Sequence, residues 1–220
     1  MTMRIKKEFS CYVCGTKSQQ TLVLSTNSMG SNDLDLRAPE MERSTIDSWI
    51  HRCPSCNYCS SNLSEKNDDA IVIIESQEYK NIIANKNIPQ LASSFLALSF
   101  IQQKMNYYSN SARSSIHAAW ICDDVKEDKI ARLFRMRAIK LLGTAKILSQ
   151  EFQQQKGATE LITIDLMRRA GMYTEALNLV NETKNMEIEE VLIKLVDFQK
   201  ILINLKDIDA HTISEAIGEK

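Results

Sequence analysis

The sequence lacks an excess of charge of either sign and lacks any long hydrophobic segment. Its 220 residues carry 27 Lys and Arg against 28 Asp and Glu, a formal net charge of −1. Nucleic-acid-binding domains usually show a clustered positive excess, and residues 1–63, with seven basic and six acidic side chains, show none. The longest apolar-rich run, Leu91 to Ile101, is too short to span a bilayer, which takes about 20 residues. The first eight residues contain no hydrophobic core of a secretory signal, so we expect a soluble, cytoplasmic protein with no membrane partner.

Common catalytic signatures are also missing from the sequence. It contains no P-loop, no glycine motif for dinucleotides and no Ser-His-Asp order. His117 and His211 stand apart from any acid–base pattern, and an isolated histidine is more often structural than catalytic. The composition, 44% apolar and 25% charged, is that of a globular protein with a packed core. We therefore expect a folded protein, and these absences favour a non-enzymatic function without deciding it.

Two Cys-x-x-Cys pairs dominate the first 60 residues. Cys11 and Cys14 form the first pair, and Cys53 and Cys56 form the second. Structural disulfides are rare in the cytosol, where paired cysteines at this spacing indicate metal or redox chemistry. A redox pair usually opens a helix within a βαβ unit, which neither pair does. The pattern predicts one structural Zn²⁺ held by these four thiolates.

The residue after each pair supports two zinc knuckles. A knuckle needs a left-handed residue directly after its second cysteine. Gly15 adopts that conformation without steric cost, and Asn57 is the next most tolerant residue type.

Two further residues, Cys59 and His51, are weaker candidates for metal binding. Cys59 forms another Cys-x-x-Cys spacing with Cys56, and His51 lies just upstream of the second pair. A closed structural site takes only four ligands, so we expect Cys59 and His51 to pack as ordinary side chains. Cys122, next to Trp120, is expected to be a buried apolar residue.

The periodicity of apolar residues divides the chain into a ribbon and a helical part. A hairpin over residues 8–25, a loop over 26–45 and a strand over 44–52 predict a zinc-ribbon-like domain in residues 1–63, with a polar insertion. From residue 64 the apolar period is that of helices, which predicts a mostly α protein with a helical domain over 64–220. The expected helices cover residues 68–85, 89–106, 109 or 111 to 122, 130–152, 158–170, 174–184 and 188–205, and a short polar tail follows.

A weak internal repeat lies in the helical part. Ala118-Ala119-Trp120 and a later Arg137-Ala138 pair resemble the segment from Leu166 to Leu177, in which one helix ends in a short turn and the next opens with an Ala-aliphatic pair. The pattern is similar to tetratricopeptide repeats, in which small residues let helices pack closely. It predicts a tetratricopeptide-like stack, with a plain helical bundle as the alternative.

The polar insertion holds the remaining candidate site. Asp33, Asp35 and Arg37 alternate with Leu34 and Leu36. One interpretation is a loop that binds a cation or polar ligand. The other, which we favour, is a solvated insertion whose leucines pack on the ribbon or the helices, because an isolated Asp-x-Asp lacks the Gly and Glu of a calcium-binding loop.

The motifs together resemble a bacterial family of uncharacterised proteins, domain-of-unknown-function (DUF) family 2225. The resemblance covers most of the chain and implies an N-terminal zinc ribbon followed by a tetratricopeptide-like helical part, but no biochemical function. Asn57 stands where the family usually has Gly, and Cys59 where a small residue is usual. The matching motifs are Cys11-x-x-Cys14-Gly15, Asp33-Leu-Asp35-Leu-Arg37, Trp49-Ile-x-x-Cys53-Pro-x-Cys56-x-Tyr58, Ala119-Trp120 and Arg168-Arg-Ala-Gly171-x-Tyr173.

These observations favour a zinc-binding adaptor or scaffold that binds a protein or peptide partner through its helical half. Two other functions stay open. The ribbon could bind nucleic acid, against which its near-neutral charge argues. The chain could instead be a thiol- or metal-dependent enzyme that uses Cys56, Cys59, Asp33 and Asp35.

Overall fold

The structure is a computed structural model that describes residues 1–218. Small β elements come first, and helices follow from residue 68 onward. None of the helices described is long and apolar enough to cross a membrane. The elements are β1 (Met3–Ser10), β2 (Lys17–Ser25), a 3₁₀ helix (Arg43–Ser48), β3 (His51–Arg52), β4 (Cys59–Ser60), α1 (Asp68–Ile73), α2 (Gln77–Ala84), α3 (Gln90–Lys104), α4 (Tyr108–Asp124), α5 (Asp128–Ile147), α6 (Ala158–Arg169), α7 (Tyr173–Lys184), α8 (Glu190–Asn204) and α9 (Ile213–Ile217).

The N-terminal part consists of two antiparallel hairpins. Strands β1 and β2 pair with Phe9 opposite Ser18, and the short β3 and β4 pair with His51 opposite Ser60. The strand expected over residues 44–52 is wrong for most of its length, because residues 43–48 form a 3₁₀ helix. The Thr45 hydroxyl donates to the carbonyl of Glu42 at 2.7 Å, a local bond that competes with strand pairing.

The helix boundaries differ from the expected ones where polar side chains cap helix ends. The helix expected over 68–85 is two helices, because the Ser76 hydroxyl donates to the Ile73 carbonyl at the end of α1 and accepts the Tyr79 N–H at the start of α2. At α4, neither Ser109 nor Ser111 acts as the cap. The side chain of Gln150 accepts the N–H of Tyr108 instead, at 2.7 Å, and periodicity cannot show a cap so distant in sequence.

The expected polar tail contains the short helix α9. Thr212 and Glu215 form a capping box at its N-terminus, a motif that is visible in the sequence and that our prediction missed.

The helices pack in neighbouring pairs around fully buried small residues. Ala112, Ala118 and Ala119 of α4 and Ala131 and Ala138 of α5 are all 0% exposed, and small side chains allow close approach of helix backbones. The predicted fold class, a small β part followed by a helical bundle, is confirmed. The tetratricopeptide-like character of the bundle stays a prediction.

The buried apolar side chains of residues 1–218 form two hydrophobic cores. The first joins ribbon residues such as Phe9 and Tyr58 to side chains of α1–α6, including Phe95 and Trp120. The second lies among α6, α7 and α8 and includes Leu34 of the insertion. The ribbon therefore rests on the helices rather than standing apart, and the division at residues 63 and 64 into two domains stays a prediction.

Candidate metal centre and buried ion-pair network

The four predicted cysteines meet at one point between the two hairpins. One sulfur from each of Cys11, Cys14, Cys53 and Cys56 lies within 4.8 Å of all the others. The Cys11 and Cys56 Sγ atoms are 3.7 Å apart, and those of Cys14 and Cys53 are 3.5 Å apart. A disulfide needs about 2.05 Å, and all four cysteines are free. The four thiols could hold a metal ion.

Each cysteine pair forms the tight turn that the sequence predicts. In the first turn, the N–H of Gly15 donates to the carbonyl of Cys11 at 2.7 Å. In the second, the N–H of Asn57 donates to the carbonyl of Cys53 at 3.0 Å. Gly15 has φ 72° and Asn57 has φ 60°, so the expected left-handed residue is present in both turns.

The helical part holds these turns in place. The N–H of Tyr12, inside the first turn, donates to the carbonyl of Leu63 at 2.8 Å. The hydroxyl of Tyr79, on α2, donates to the carbonyl of Asn57 at 2.9 Å. The relative position of the two turns thus depends on α2 as well as on the hairpins.

The crowding of four thiols makes their ionisation unequal. Burial raises the pKa of Cys11 and, together with hydrogen bonds among the neighbouring thiols, that of Cys56. Burial also opposes ionisation of Cys14, but hydrogen bonds with Thr16 and with the neighbouring thiols together outweigh it and lower the pKa to about 6. Four thiolates at these distances would repel one another. A bound metal ion would offset that repulsion and favour the deprotonated form of all four cysteines.

The weaker metal-ligand candidates lie outside the cluster. Cys59 is 0% exposed, its Sγ lies 3.4 Å from the carbonyl oxygen of Asn57, and burial raises its pKa. His51 is buried with its ring 5.3 Å from that of Phe9, and burial lowers its pKa. Cys122 is buried in α4, as expected. A buried, protonated Cys59 argues against a reactive Cys56–Cys59 pair.

The insertion between the hairpins is not solvated, contrary to the interpretation that the sequence favoured. Asp33, Asp35 and Arg37 are only 5%, 3% and 6% exposed. Leu34 packs into the second core, whereas Leu36 is exposed. The N–H of Leu34 donates to the carbonyl of His211 at 2.9 Å, so the C-terminal segment covers the insertion.

Asp33, Asp35 and Arg37 each have a partner of opposite charge. A carboxylate oxygen of Asp33 lies 2.7 Å from Arg43, and Arg37 donates to Asp124 at 2.6 Å. The carboxylate of Asp35 accepts hydrogen bonds from the indole N–H of Trp120 at 2.7 Å and from Arg169 at 3.1 Å. Burial raises the pKa of Asp33, and the guanidinium of Arg43 opposes that rise.

The pairs continue into a network that sequence reasoning missed. Arg169 also donates to Asp123 at 2.8 Å, and Arg135 donates to the same carboxylate. We call the connected residues Asp35, Trp120, Asp123, Arg135 and Arg169 the buried network. It links the insertion to α4, α5 and α6, and the only sequence signal for it was that Asp35, Trp120 and Arg169 belong to motifs of the family resemblance.

Arg168, the residue before Arg169, anchors the C-terminal segment. Its side chain is 0% exposed and pairs with Asp165 at 2.6 Å. It also donates to the backbone carbonyls of Asp207 at 2.8 Å and Asp209 at 2.9 Å. Adjacent arginines on α6 therefore fix two different segments, the insertion and the chain end.

Most of the chain matches the model of one known protein family. A family model described as "Uncharacterized protein conserved in bacteria (DUF2225)" matches residues 5–200. The chain belongs to this family. No curated protein and no solved structure matches the chain. The DUF2225 model spans both cysteine pairs, the insertion and the buried network.

Proposed function

We propose that this DUF2225 protein is a non-enzymatic zinc protein, in which one Zn²⁺ holds the ribbon together and the helical half binds a protein partner. Zinc prefers four thiolates in a tetrahedron with Zn–S distances of about 2.3 Å, which gives S–S edges of about 3.8 Å. The Sγ–Sγ distances of 3.7 and 3.5 Å are close to this edge. Four protein ligands leave no open position for substrate, which is typical of structural rather than catalytic zinc.

The zinc assignment is tested by metal stoichiometry. We expect elemental analysis of the purified protein to give one zinc per chain, retained in Cys59→Ala and lost in Cys53→Ala. Cys59→Ala is the matched control, because both cysteines are 0% exposed and only Cys53 belongs to the cluster. Loss of zinc in Cys59→Ala, or iron in place of zinc, would contradict the assignment.

The exposed face of α5 is the surface that we assign to the partner. Leu133, Met136 and Ile147 are 61%, 42% and 84% exposed, and Gly143 lies between them with open space where a Cβ would be. The spacing of these four residues places them on one helix face, beside a cavity of about 470 Å³ that Gly143 also lines. An exposed apolar stripe of this kind is typical of a surface that receives a partner helix.

The charges along α5 indicate the chemistry of the partner. The helix contains six basic residues and a single acidic one, Asp128, in its first turn. Lys129, Arg132 and Lys140 are exposed. At 3.6 residues per turn, Lys140 lies on the same helix face as the apolar side chains, and Arg132 lies at the edge of that face. An amphipathic helix with acidic residues around an apolar stripe would complement both features.

The substitution Gly143→Gln tests this surface without weakening the fold. It raises helix propensity, and its Cβ would meet no atom within 4 Å, but the longer side chain would fill the space needed for close approach of a partner helix. We expect 16-residue peptides selected from a displayed random library to be acidic and amphipathic, and to bind the wild type at least about tenfold more tightly than Gly143→Gln. The matched control, Asn181→Gln on the exposed side of α7, should bind them as the wild type does.

Two results would overturn the partner assignment. One is the absence of any enriched peptide, or equal binding by Gly143→Gln. The other is a salt-dependent shift of duplex DNA or RNA by the wild type at micromolar concentration, which would favour the nucleic-acid function instead.

A further inference from the structure

A cavity of about 230 Å³ lies between the insertion, the ribbon and α4, apart from the cysteine cluster and the exposed face of α5. We call it the His117 cavity. Its wall includes Asp35 of the buried network. The lining residues used below are Asn32, Glu42, Trp49, Arg113, His117, Trp120 and Gln153.

Aromatic rings surround His117. Its ring centroid lies 4.9 Å from that of Trp120, and 5.2 Å from those of Trp49 and Phe95. The polar atoms of both tryptophans are already engaged, because Trp120 donates to Asp35 at 2.7 Å and Trp49 donates to Thr45 at 2.9 Å. The tryptophans therefore contribute aromatic surface to the cavity and no free donor.

Four polar side chains at the cavity have no hydrogen-bond partner among the residues that the structure describes. His117, Asn32, Glu42 and Gln153 all line the cavity, and none of their side chains forms a hydrogen bond with another of residues 1–218. Their polar atoms are not sealed from solvent, so each can form hydrogen bonds with water or with a ligand that enters the cavity. Burial lowers the pKa of His117 to about 3, so its imidazole is neutral and has one donor and one acceptor nitrogen.

The cavity lining carries little net charge. The Asp35 carboxylate is paired with Arg169 at 3.1 Å. Glu42 and Arg113 contribute opposite charges, and Arg113 is also held by the backbone carbonyl of Phe152 at 3.0 Å, with its guanidinium 4.5 Å from the Phe152 ring. The lining therefore has no net excess of either charge, and the unpaired Glu42 carboxylate disfavours an anionic ligand.

We propose that the His117 cavity binds a flat, uncharged heteroaromatic molecule of the size of one nucleobase. The ring would lie against the aromatic surfaces of Trp49 and Trp120. Its polar edge would form hydrogen bonds with His117, Asn32 and Gln153, each of which has both a donor and an acceptor. The volume of about 230 Å³ is below the range of about 300–1,000 Å³ for drug-sized ligands, which suits a single base better than a whole nucleotide.

The chain provides its own reporter for this binding, since it contains only two tryptophans and both line the cavity. We would titrate the zinc-loaded full chain with adenine, hypoxanthine, uracil and thymine, up to the solubility of each. Tryptophan fluorescence excited at the red edge of its absorption and isothermal calorimetry would follow binding. We expect at least one base to shift or quench the emission and to give a saturable heat of binding.

Two variants and a control test whether binding depends on the polar side chains of the cavity. His117→Phe keeps the aromatic packing and removes both ring nitrogens, and Gln153→Ala removes an amide from the cavity wall. Each should weaken binding by at least about tenfold. The control is Gln154→Ala, the same change at an exposed neighbour that does not line this cavity, and it should bind as the wild type does.

Three outcomes would overturn the proposal. They are no response to any of the four bases, binding that survives unchanged in both His117→Phe and Gln153→Ala, and an equal response to the charged aliphatic cyclohexanecarboxylate. Thermal melts would identify a variant that fails to fold, and Gln153→Ala, at a partly exposed position, decides the result if His117→Phe is unstable. None of these variants alters α5 or the cysteine cluster, so this proposal and the proposed function fail independently.

Discussion

The cysteine cluster and the buried network are two polar centres that each join distant parts of the chain. The cluster brings together two turns, Cys11–Cys14 and Cys53–Cys56. The network brings together Asp35, α4, α5 and Arg169. The cluster is visible in the sequence, whereas the network is not.

The two centres also differ in how they stabilise the fold. Zinc binding by cysteine thiolates is coupled to folding, with apparent free energies of about 10–16 kcal/mol in small zinc-finger peptides. In a buried ion pair, the cost of removing both charges from water cancels much of the attraction. We therefore expect the cluster to supply net stability, and the network to fix which segments meet at little net gain.

The largest effect should come from removing the metal. Chelation of the zinc, or Cys53→Ala, should lower the free energy of unfolding by more than about 5 kcal/mol, a fraction of the zinc contribution in small domains. The loss should reach the helices, because ribbon residues share the first core with α1–α6. Urea denaturation followed by circular dichroism measures it, and Cys59→Ala is the matched control. If the helices keep their full stability, the ribbon and the helical part fold independently.

The second largest loss of stability should come from removing one charged side chain of the buried network. Asp35→Ala leaves Arg169 short of a carboxylate and the indole N–H of Trp120 without an acceptor, which should cost about 3–5 kcal/mol. The control is Asp47→Ala, since Asp47 pairs with Arg4 at 2.8 Å but is 54% exposed. That exposed pair should contribute less than about 1 kcal/mol. Similar losses in the two variants would show that the network is solvated in solution.

Most of the ribbon and the cysteine cluster could be predicted because their signals are local. A Cys-x-x-Cys turn followed by Gly15 or Asn57 needs only its own five residues to be recognised. The helices were found for the same reason, since an apolar stripe such as Phe134, Ala138 and Leu141 repeats within one element. The ligand set of four cysteines needed only the further assumption that both turns share one ion.

The remaining features depend on contacts between segments that no local pattern marks. The acids of the insertion look like those of a solvated loop until Trp120 and Arg169 are placed beside them. The cap of α4 is Gln150, about 40 residues away from the helix start. A 3₁₀ helix forms over Arg43–Ser48 where a strand was expected, because Thr45 and its neighbours form short-range hydrogen bonds. The spacing of the apolar residues Ile46, Trp49 and Ile50 gives no sign of these bonds.

A smaller, pH-dependent effect should arise at His117, whose ring contacts both Trp49 of the ribbon and Trp120 of the network. Burial lowers its pKa to about 3 in the folded chain, from about 6.5 when unfolded. Between these values the unfolded chain binds more protons, so the stability that depends on a neutral His117 is complete above pH 6.5 and is lost as the pH falls.

His117→Phe isolates that contribution. Between pH 7 and pH 5 the wild type should lose about 1–2 kcal/mol more than the variant does. Arg113, Arg37 and Asp35 face the ring in both proteins, so their effect on stability cancels in the difference. Parallel urea titrations at four or five pH values measure it. Equal pH dependence in the two proteins would mean that water reaches the imidazole and keeps its pKa ordinary.

The smallest effect should come from the left-handed residues beside the cysteines, and it tests whether the cluster depends on the backbone of its turns as well as on its sulfurs. Asn57 has φ 60° and Gly15 has φ 72°, a conformation that costs a residue with a Cβ about 1–2 kcal/mol. Asn57→Gly should therefore be close to neutral, while Asn57→Ala and Gly15→Ala should each destabilise by about 1 kcal/mol. Gly15→Ala is informative because nothing lies within 4 Å of its added Cβ, so any loss must come from the backbone.

Urea midpoints and competition with a zinc chelator would be measured for all three variants. If the two alanine variants bind zinc and unfold as the wild type does, the metal alone sets the geometry of the turns. The left-handed residue after each cysteine pair, which helped to predict the cluster from the sequence, would then not contribute to its stability.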